Sequence, residues 1–425
     1  MGSSPIAVQP GTPATSLREL DDFYVPAYRV ALKGKNQPQL QQDILSVSYR
    51  DSLTDVDSVE LVVDNWDPGD PIPNQAVQGS FRYHNTHTFD PWQDIQVWMG
   101  YYRKGADNLK LMMTGEIVTM APSFPASGGS TLNVRALNLL HQFRTQQKTR
   151  EFTGKTDSQI AKLIVDDINT DIKKKLTHIQ IQMLQQEVDD NIQNNREKPI
   201  PFLEMHNQYP IVFLMQRARD TGYDISFDDV TDDTTDMRTI TFHYRSSTAV
   251  QKPTYILQWG KSLISFEPTL QTAKQVGSVT VNGWNVQTKK PISQTVTRAD
   301  LVQAGDKVIA PEDLSVTENS LSQKLEIVVD RGFKDPDEAK KVALKTLRQL
   351  AQGLVEAKGK TIGLPDLRSG NKVNIYMKPG DNQTPPPANK DRFSGTYTVT
   401  STTHTLNESG YTTDFTARME PQVSS

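Results

Sequence analysis

Val59-Glu60-Leu61-Val62-Val63-Asp64-Asn65-Trp66-Asp67 is the stretch that decides how this chain is read. Val59, Leu61 and Val63 fall on alternate positions, the two-residue period of a strand with one face in a core and the other in solvent. The same alternation stands upstream in Leu45, Val47 and Tyr49, and downstream in Ile95, Val97, Met99 and Tyr101. Asp67-Pro68-Gly69-Asp70-Pro71 separates these runs with turn chemistry, proline fixing φ and glycine supplying a positive φ. A further strand pair over 109–120 and 132–136, split by a Pro-, Ser- and Gly-rich loop at 122–130, completes a small antiparallel barrel or sandwich.

From Glu151 the period becomes helical. Thr156 and Gln159 form a capping-box signature ahead of Ile160, Leu163, Ile164 and Ile168 on one face. A second helix follows Pro210 through Ile211, Leu214, Met215 and Ala218, with Gly222 placed to end it. Segments 223–228 and 238–244 read as a hairpin, and the polar stretch 185–198 as a mobile loop. After Lys252-Pro253 the strand pattern returns over 263–266, 278–286, 324–329, 373–377, 393–405 and 411–419, interrupted by a polar segment at 297–321. One helix is strongly marked: Asp335 caps it, Pro336 opens it, Glu338 is third, and Val342, Ala343, Leu347, Leu350 and Leu354 make a stripe. We expect it to span 336–357 and to lie against the C-terminal barrel.

At 425 residues the chain exceeds what one core organises, so two to four domains are expected. Its 46 basic and 50 acidic side chains are spread along the chain and leave a net charge of -4, which gives no basic field for nucleic acid or anionic lipid. The absence of cysteine rules out disulfides, thiolate metal sites and cysteine nucleophiles together. Residues 1–16 have neither the basic start nor the apolar stretch of a secretory signal, and 1–20 read as a flexible tail. The apolar run 211–215 is far short of the roughly 20 residues that cross a bilayer.

A search for chemistry turns up fragments. Gly260-Lys261-Ser262 resembles the end of a phosphate loop, but Tyr255 holds the required upstream glycine position and no helical pattern follows. Asp228, Asp229, Asp232, Asp233 and Asp236 lack the alternating ligands, central glycine and terminal Glu of a calcium loop. Asp64, Asp67 and Asp70 sit in a Pro-Gly turn where aspartates bond nearby backbone amides. His84 and His87 have no third ligand in view, His141, His178, His206, His243 and His404 are scattered, and no serine stands in a Gly-x-Ser-x-Gly elbow. Arg82-Tyr83 and Tyr101-Tyr102-Arg103 interleave aromatic and basic residues as single-strand binders do, although strand aromatics commonly serve cores and interfaces. No catalytic, cofactor-binding or metal residue is assigned, and no cofactor is expected.

The residues that are present form an ordered set. Phe23-Tyr24-Val25-Pro26-Ala27-Tyr28, Asp43-Ile44-Leu45-Ser46-Val47-Ser48-Tyr49 and the 59–67 stretch open it. Arg150-Glu151-Phe152-Thr153-Gly154-Lys155-Thr156-Asp157, His206-Asn207-Gln208-Tyr209, Phe213-Leu214, Arg217-Ala218-Arg219 and Gly222-Tyr223 follow. The last third adds Gly260-Lys261-Ser262-Leu263-Ile264-Ser265-Phe266, Val281-Asn282-Gly283-Trp284 and Gly363-Leu364-Pro365-Asp366-Leu367-Arg368-Ser369-Gly370. Phe393-Ser394-Gly395-Thr396-Tyr397-Thr398-Val399-Thr400, His404 and Gly410-Tyr411 close it. In order and over the whole chain after the tail, these resemble the late control gene D family of contractile-tailed phages, which includes hub proteins of contractile injection systems.

The resemblance implies an α+β, mainly β fold: a first tube-like antiparallel β-barrel over 21–136, an α+β domain over 137–250 and a second tube-like barrel over 251–420, then a short tail at 421–425. It implies a homotrimeric baseplate hub that presents six similar barrels to a hexameric inner tube and docks a trimeric spike, with a central channel. The related VgrG spike proteins continue into a β-helical needle; no glycine-periodic repeat follows Met419, so a separate spike polypeptide is expected. Such a hub is made in the cytoplasm, resides in the baseplate with other baseplate proteins, binds no specific nucleic acid and inserts in no membrane. Rival readings are a tail-associated cell-wall hydrolase and a carbohydrate- or nucleic-acid-binding β module.

Overall fold

A computed structural model describes residues 6–8, 25–53, 55–67, 69, 79–103, 106–144, 146–173, 179–193, 197–221, 223–231, 238–246, 255–272, 275–285, 288–303, 325–329, 336–377 and 391–420. The N-terminal part supplies β1 (Ile6–Val8), β2 (Pro26–Leu32), β3 (Lys35–Asn36), α1 (Pro38–Asp43), β4 (Ile44–Ser52), β5 (Ser58–Asp64), β6 (Trp66–Asp67), β7 (Ser80–Phe81), β8 (Asp94–Arg103), β9 (Ala106–Ser123) and β10 (Thr131–Asn138). Strands β4, β5, β10, β9, β8, β2 and β3 lie side by side, each pair antiparallel. The alternation in the sequence becomes the core at Val47, Tyr49, Val59, Leu61, Val63, Ile95, Val97 and Met99, buried on one face; Leu45 is the exception, exposed because an irregularity between Ile44 and Ser46 puts Ile44 in the core in its place. The expected tail is corrected over 6–8, where apolar Ile6-Ala7-Val8 adds an antiparallel strand to the sheet edge.

The middle of the chain builds β11 (Lys148–Phe152), α2 (Asp157–Lys173), β12 (Ile179–Gln182), α3 (Gln185–Gln193), β13 (Leu203–Gln208), α4 (Pro210–Thr221), β14 (Tyr223–Thr231) and β15 (Arg238–Ser246). The capping box forms as read: Thr156 N–H donates to Gln159 Oε1 at 3.0 Å and Gln159 N–H to Thr156 Oγ1 at 3.4 Å. Helices α2 and α4 bury Ile160, Ile164, Phe213 and Leu214 against Phe242 and Tyr244 of the β14–β15 hairpin. The expected loop at 185–198 is corrected by α3. Its apolar contribution is thin, Val188 and Ile192, so periodicity does not reveal it. It is held instead by Glu187, which pairs with His243 Nδ1 at 2.7 Å and accepts the Tyr244 N–H at 2.6 Å.

The C-terminal part supplies β16 (Tyr255–Gln258), β17 (Leu263–Leu270), β18 (Ser278–Asn285), β19 (Lys290–Thr297), α5 (Arg298–Gln303), β20 (Leu325–Val329), α6 (Pro336–Gln352), β21 (Val355–Ile362), β22 (Lys372–Tyr376), β23 (Gly395–Asn407) and β24 (Gly410–Met419). Strands β16, β22, β23, β24, β21 and β17 pair in that order around a second core of Tyr255, Leu257, Val373, Ile375, Tyr397, Val399 and Phe415. The β16–β22 pair is parallel, an exception to the antiparallel expectation. Because β23 also pairs with β4, the two halves merge into one 14-stranded sheet.

Two readings of the strongly marked helix are corrected. It ends at Gln352, and after Gly353 and Leu354 the alternately buried Val355 and Ala357 open β21 instead. It also packs away from the large sheet. Ala339, Ala343, Leu347 and Ala351 face Val279, Val281, Ile292 and Val296 of the separate β19–β18–β20 sheet, while Leu354 alone of the expected stripe joins the second core. Leu347 is the one large side chain among these four positions, and it is fully buried. We therefore expect Leu347→Ala to cost about 2–5 kcal/mol within this small unit. Hydrogen exchange should quicken in β18 and β19 and stay slow in β21 to β24.

Candidate functional site

Most residues singled out in the sequence serve their own neighbourhood. Asp64 Oδ1 accepts the Trp66 N–H at 3.1 Å and Asp67 Oδ1 the Gly69 N–H at 3.0 Å, the turn bonding expected of them. The backbone amides of Lys261 and Ser262 are spent on the Gln258 carbonyl at 3.2 and 3.0 Å, so no phosphate cradle is left. His84 lies 2.9 Å from Asn65 and His87 2.9 Å from Asp90; the structure does not bring them together. Tyr83 and Tyr101 are buried, which leaves no aromatic platform with Tyr102. Asp70, His178, Asp232, Asp233 and Asp236 lie outside the described residues. Among the described residues no group of three or more His, Asp or Glu is placed to hold a metal ion, and no helix is long and apolar enough to cross a membrane.

The side chains that do converge lie at the joint between the two halves of the large sheet. Ser46–Ser52 of β4 pair with Ser401–Asn407 of β23, and the loop 363–370 between β21 and β22 closes over the seam. Tyr101 of β8 donates to Gly363 O at 2.8 Å, Lys110 of β9 pairs with Asp366, and Ser369 N–H donates to Asp51 Oδ2 at 3.0 Å. Arg368 is the centre. Its Nη2 donates to Leu111 O and Met112 O at 3.3 and 3.0 Å, its guanidinium lies 4.5 Å over the Tyr49 ring, and Nη1 stands 4.0 Å from Asp51.

Buried Asp51 also accepts from Thr402, through its N–H at 3.2 Å and its hydroxyl. A second carboxyl, Asp57, takes the Tyr49 hydroxyl at 3.3 Å. Burial pushes both carboxyls up, Asp57 to about 7 with the Asp51 charge adding to the effect, while Arg368 pulls both down. Asp51 has three donors besides the guanidinium and is the counter-ion of Arg368; Asp57 is left as the group that exchanges its proton near neutrality. His404 is fully buried and held neutral, its pKa depressed by burial and by Arg368. Leu367 O, 3.0 Å away, can only accept, so Nε2 carries the proton and Nδ1 accepts from Tyr411 or Thr413, each at 3.1 Å. This network sets the relation between the halves.

No family model matches the chain, and no curated protein matches it. Solved structures do. The 43 kDa tail protein of prophage MuSo2 from Shewanella oneidensis matches with a TM-score of 0.61 over 93% of this chain and 98% of that one, at 12% identity. The chain has the fold of phage tail proteins. A tail protein from Neisseria meningitidis gives a TM-score of 0.59 over 93% and 97%, at 11% identity. An Escherichia coli component of the type VI secretion system covers 93% of this chain at a TM-score of 0.47, too loose to bear on the fold. The α+β, mainly β class read from the sequence stands, and in this tail-protein fold the joint ties one half of the large sheet to the other.

Sequence reading missed the joint because its members come from β4, β9, β23 and the 363–370 loop. The one signal was the run Gly363 to Gly370 itself, a glycine-bounded turn in which Asp366 and Arg368 alternate with Leu364 and Leu367 and their neighbours.

Two outcomes follow from the geometry. Arg368→Met strands the buried Asp51 charge and is expected to cost about 3 kcal/mol, the low end for a broken buried pair because 22% of the arginine side chain stays exposed. Equilibrium denaturation measures it. Asp57 has a raised pKa in the folded state, so its contribution is full below the ordinary carboxylate range and is lost as pH rises through about 7. His404, depressed, acts in the opposite sense and weakens the fold as pH falls below its usual value. The comparison with Asp57→Asn isolates the first term: from about pH 5 to about pH 8 the stability difference should move in the variant's favour.

Proposed function

We propose that this chain is a structural hub subunit of the baseplate of a phage tail or contractile injection system. In this reading it joins a hexameric inner tube to a trimeric spike around a central channel. The observation that carries it is the pairing of two sheet halves, each with its own core, fixed to each other by β4–β23 and the Arg368 loop. Two comparable halves per chain, read as tube-like barrels with the α+β unit of about 137–250 between them, make six in a homotrimer. That number matches a sixfold ring on one side while threefold symmetry is kept on the other. A rigid joint is what such an adaptor needs, since any play between the halves would spoil the sixfold register.

The partners in this reading are two further copies of the chain, a separate trimeric spike, tube rings and other baseplate proteins. The protein is assembled in the cytoplasm and resides in the baseplate, and it acts by binding and shape, not by catalysis. Imaging of assembled particles should find three copies of the chain between tube and spike. Six copies, or one, would contradict the paired-half argument.

A further inference from the structure

One face of the β8–β9 pair carries polar groups where a sheet buried on both sides is ordinarily apolar. Gln96 stands opposite Thr114 in register and Asp94 opposite Glu116, so the four side chains form a two-by-two array on one face. All are buried: Gln96 is 0% exposed, Thr114 1%, Glu116 3% and Asp94 8%. Among the described residues Nε2 and Oε1 of Gln96, Oγ1 of Thr114 and Oε1 of Gln93 have no hydrogen-bond partner. His141 closes one corner. Its Nδ1 donates to Asn138 O at 2.9 Å, so its 2.9 Å contact from Nε2 to Glu116 Oε2 holds a proton between ring and carboxylate.

Each buried polar atom left without a partner forfeits its hydration, and three on one cross-strand pair, Nε2 and Oε1 of Gln96 and Oγ1 of Thr114, are more than a folded core tolerates. The chemistry of the set names what fills it. Gln96 and Thr114 offer N–H and O–H donors, and their oxygens offer acceptors. A metal ion would satisfy the oxygens and leave the Gln96 amide hydrogens unmet. A molecule that both donates and accepts meets them all. We infer that the Gln96–Thr114 array is a specific internal water site, with ordered water linking β8 to β9 beside the Glu116–His141 pair.

The experiment uses the full chain. A density map that resolves ordered solvent should show water within hydrogen-bonding reach of both Gln96 and Thr114. The double variant Gln96→Met/Thr114→Val keeps the volume without the polar atoms, and should melt at a lower temperature than the wild type because it evicts solvent from beside the two carboxylates. Both results together support the site. Absence of density overturns it, and so does a rise in melting temperature, which would mean that the polar atoms were bare. A melting temperature that calcium chloride raises and a chelator restores, in the wild type and not in Asp94→Asn, would put a cation there instead.

Discussion

Seven residue pairs between β4 and β23 carry the architecture, because they join segments 349 to 361 positions apart and turn two sheets into one. Leu406 and Tyr411, from the C-terminal half, lie in the core of the N-terminal half, so the two interiors share a wall. Everything else hangs from this seam. The α+β unit and the β18–β20 unit with α6 are both insertions between strands of the large sheet, each with a core of its own. A change inside either insertion is therefore felt locally, whereas a change at the seam alters the relation of both halves.

What could be read in advance follows the range of the interaction. Alternation within one strand gave Val59, Leu61 and Val63 as core, and a four-residue capping box gave the start of α2. The turn bonds of Asp64 and Asp67 reach only two residues along the chain. Helix α3 escaped because its anchor, Glu187, finds His243 and Tyr244 some 56 residues away, with little apolar periodicity to announce it. The Arg368 network escaped for the same reason. Its loop was legible as a motif, but nothing local says that an arginine there will meet a carbonyl of β9 and a carboxylate of β4.

Helix α6 shows a different limit. An apolar stripe states that a helix has a face to bury, and the face was read as Val342, Ala343, Leu347, Leu350 and Leu354. The structure buries Ala343 and Leu347 of that stripe, packs Val342 and Leu350 beside them, and adds Ala339 and Ala351. Which sheet receives the face is a matter of topology, fixed by the turn at Gly353 that sends the chain back into the large sheet as β21.

An apolar seam would have been simpler to stabilise than one built on a guanidinium and two carboxyls, since desolvating charges offsets much of what their attraction returns. The polar seam does something that an apolar one does not. Sliding β23 by one residue against β4 would turn every side chain to the opposite face. Asp51 would then lose the Thr402 N–H and hydroxyl and the Ser369 N–H in one step, leaving a buried charge with Arg368 alone. A slipped valine or leucine loses its burial as well, and the stranded charge adds its own desolvation cost to that loss. The network therefore penalises wrong registers more than it rewards the right one, and so holds the two halves of the sheet in a single register.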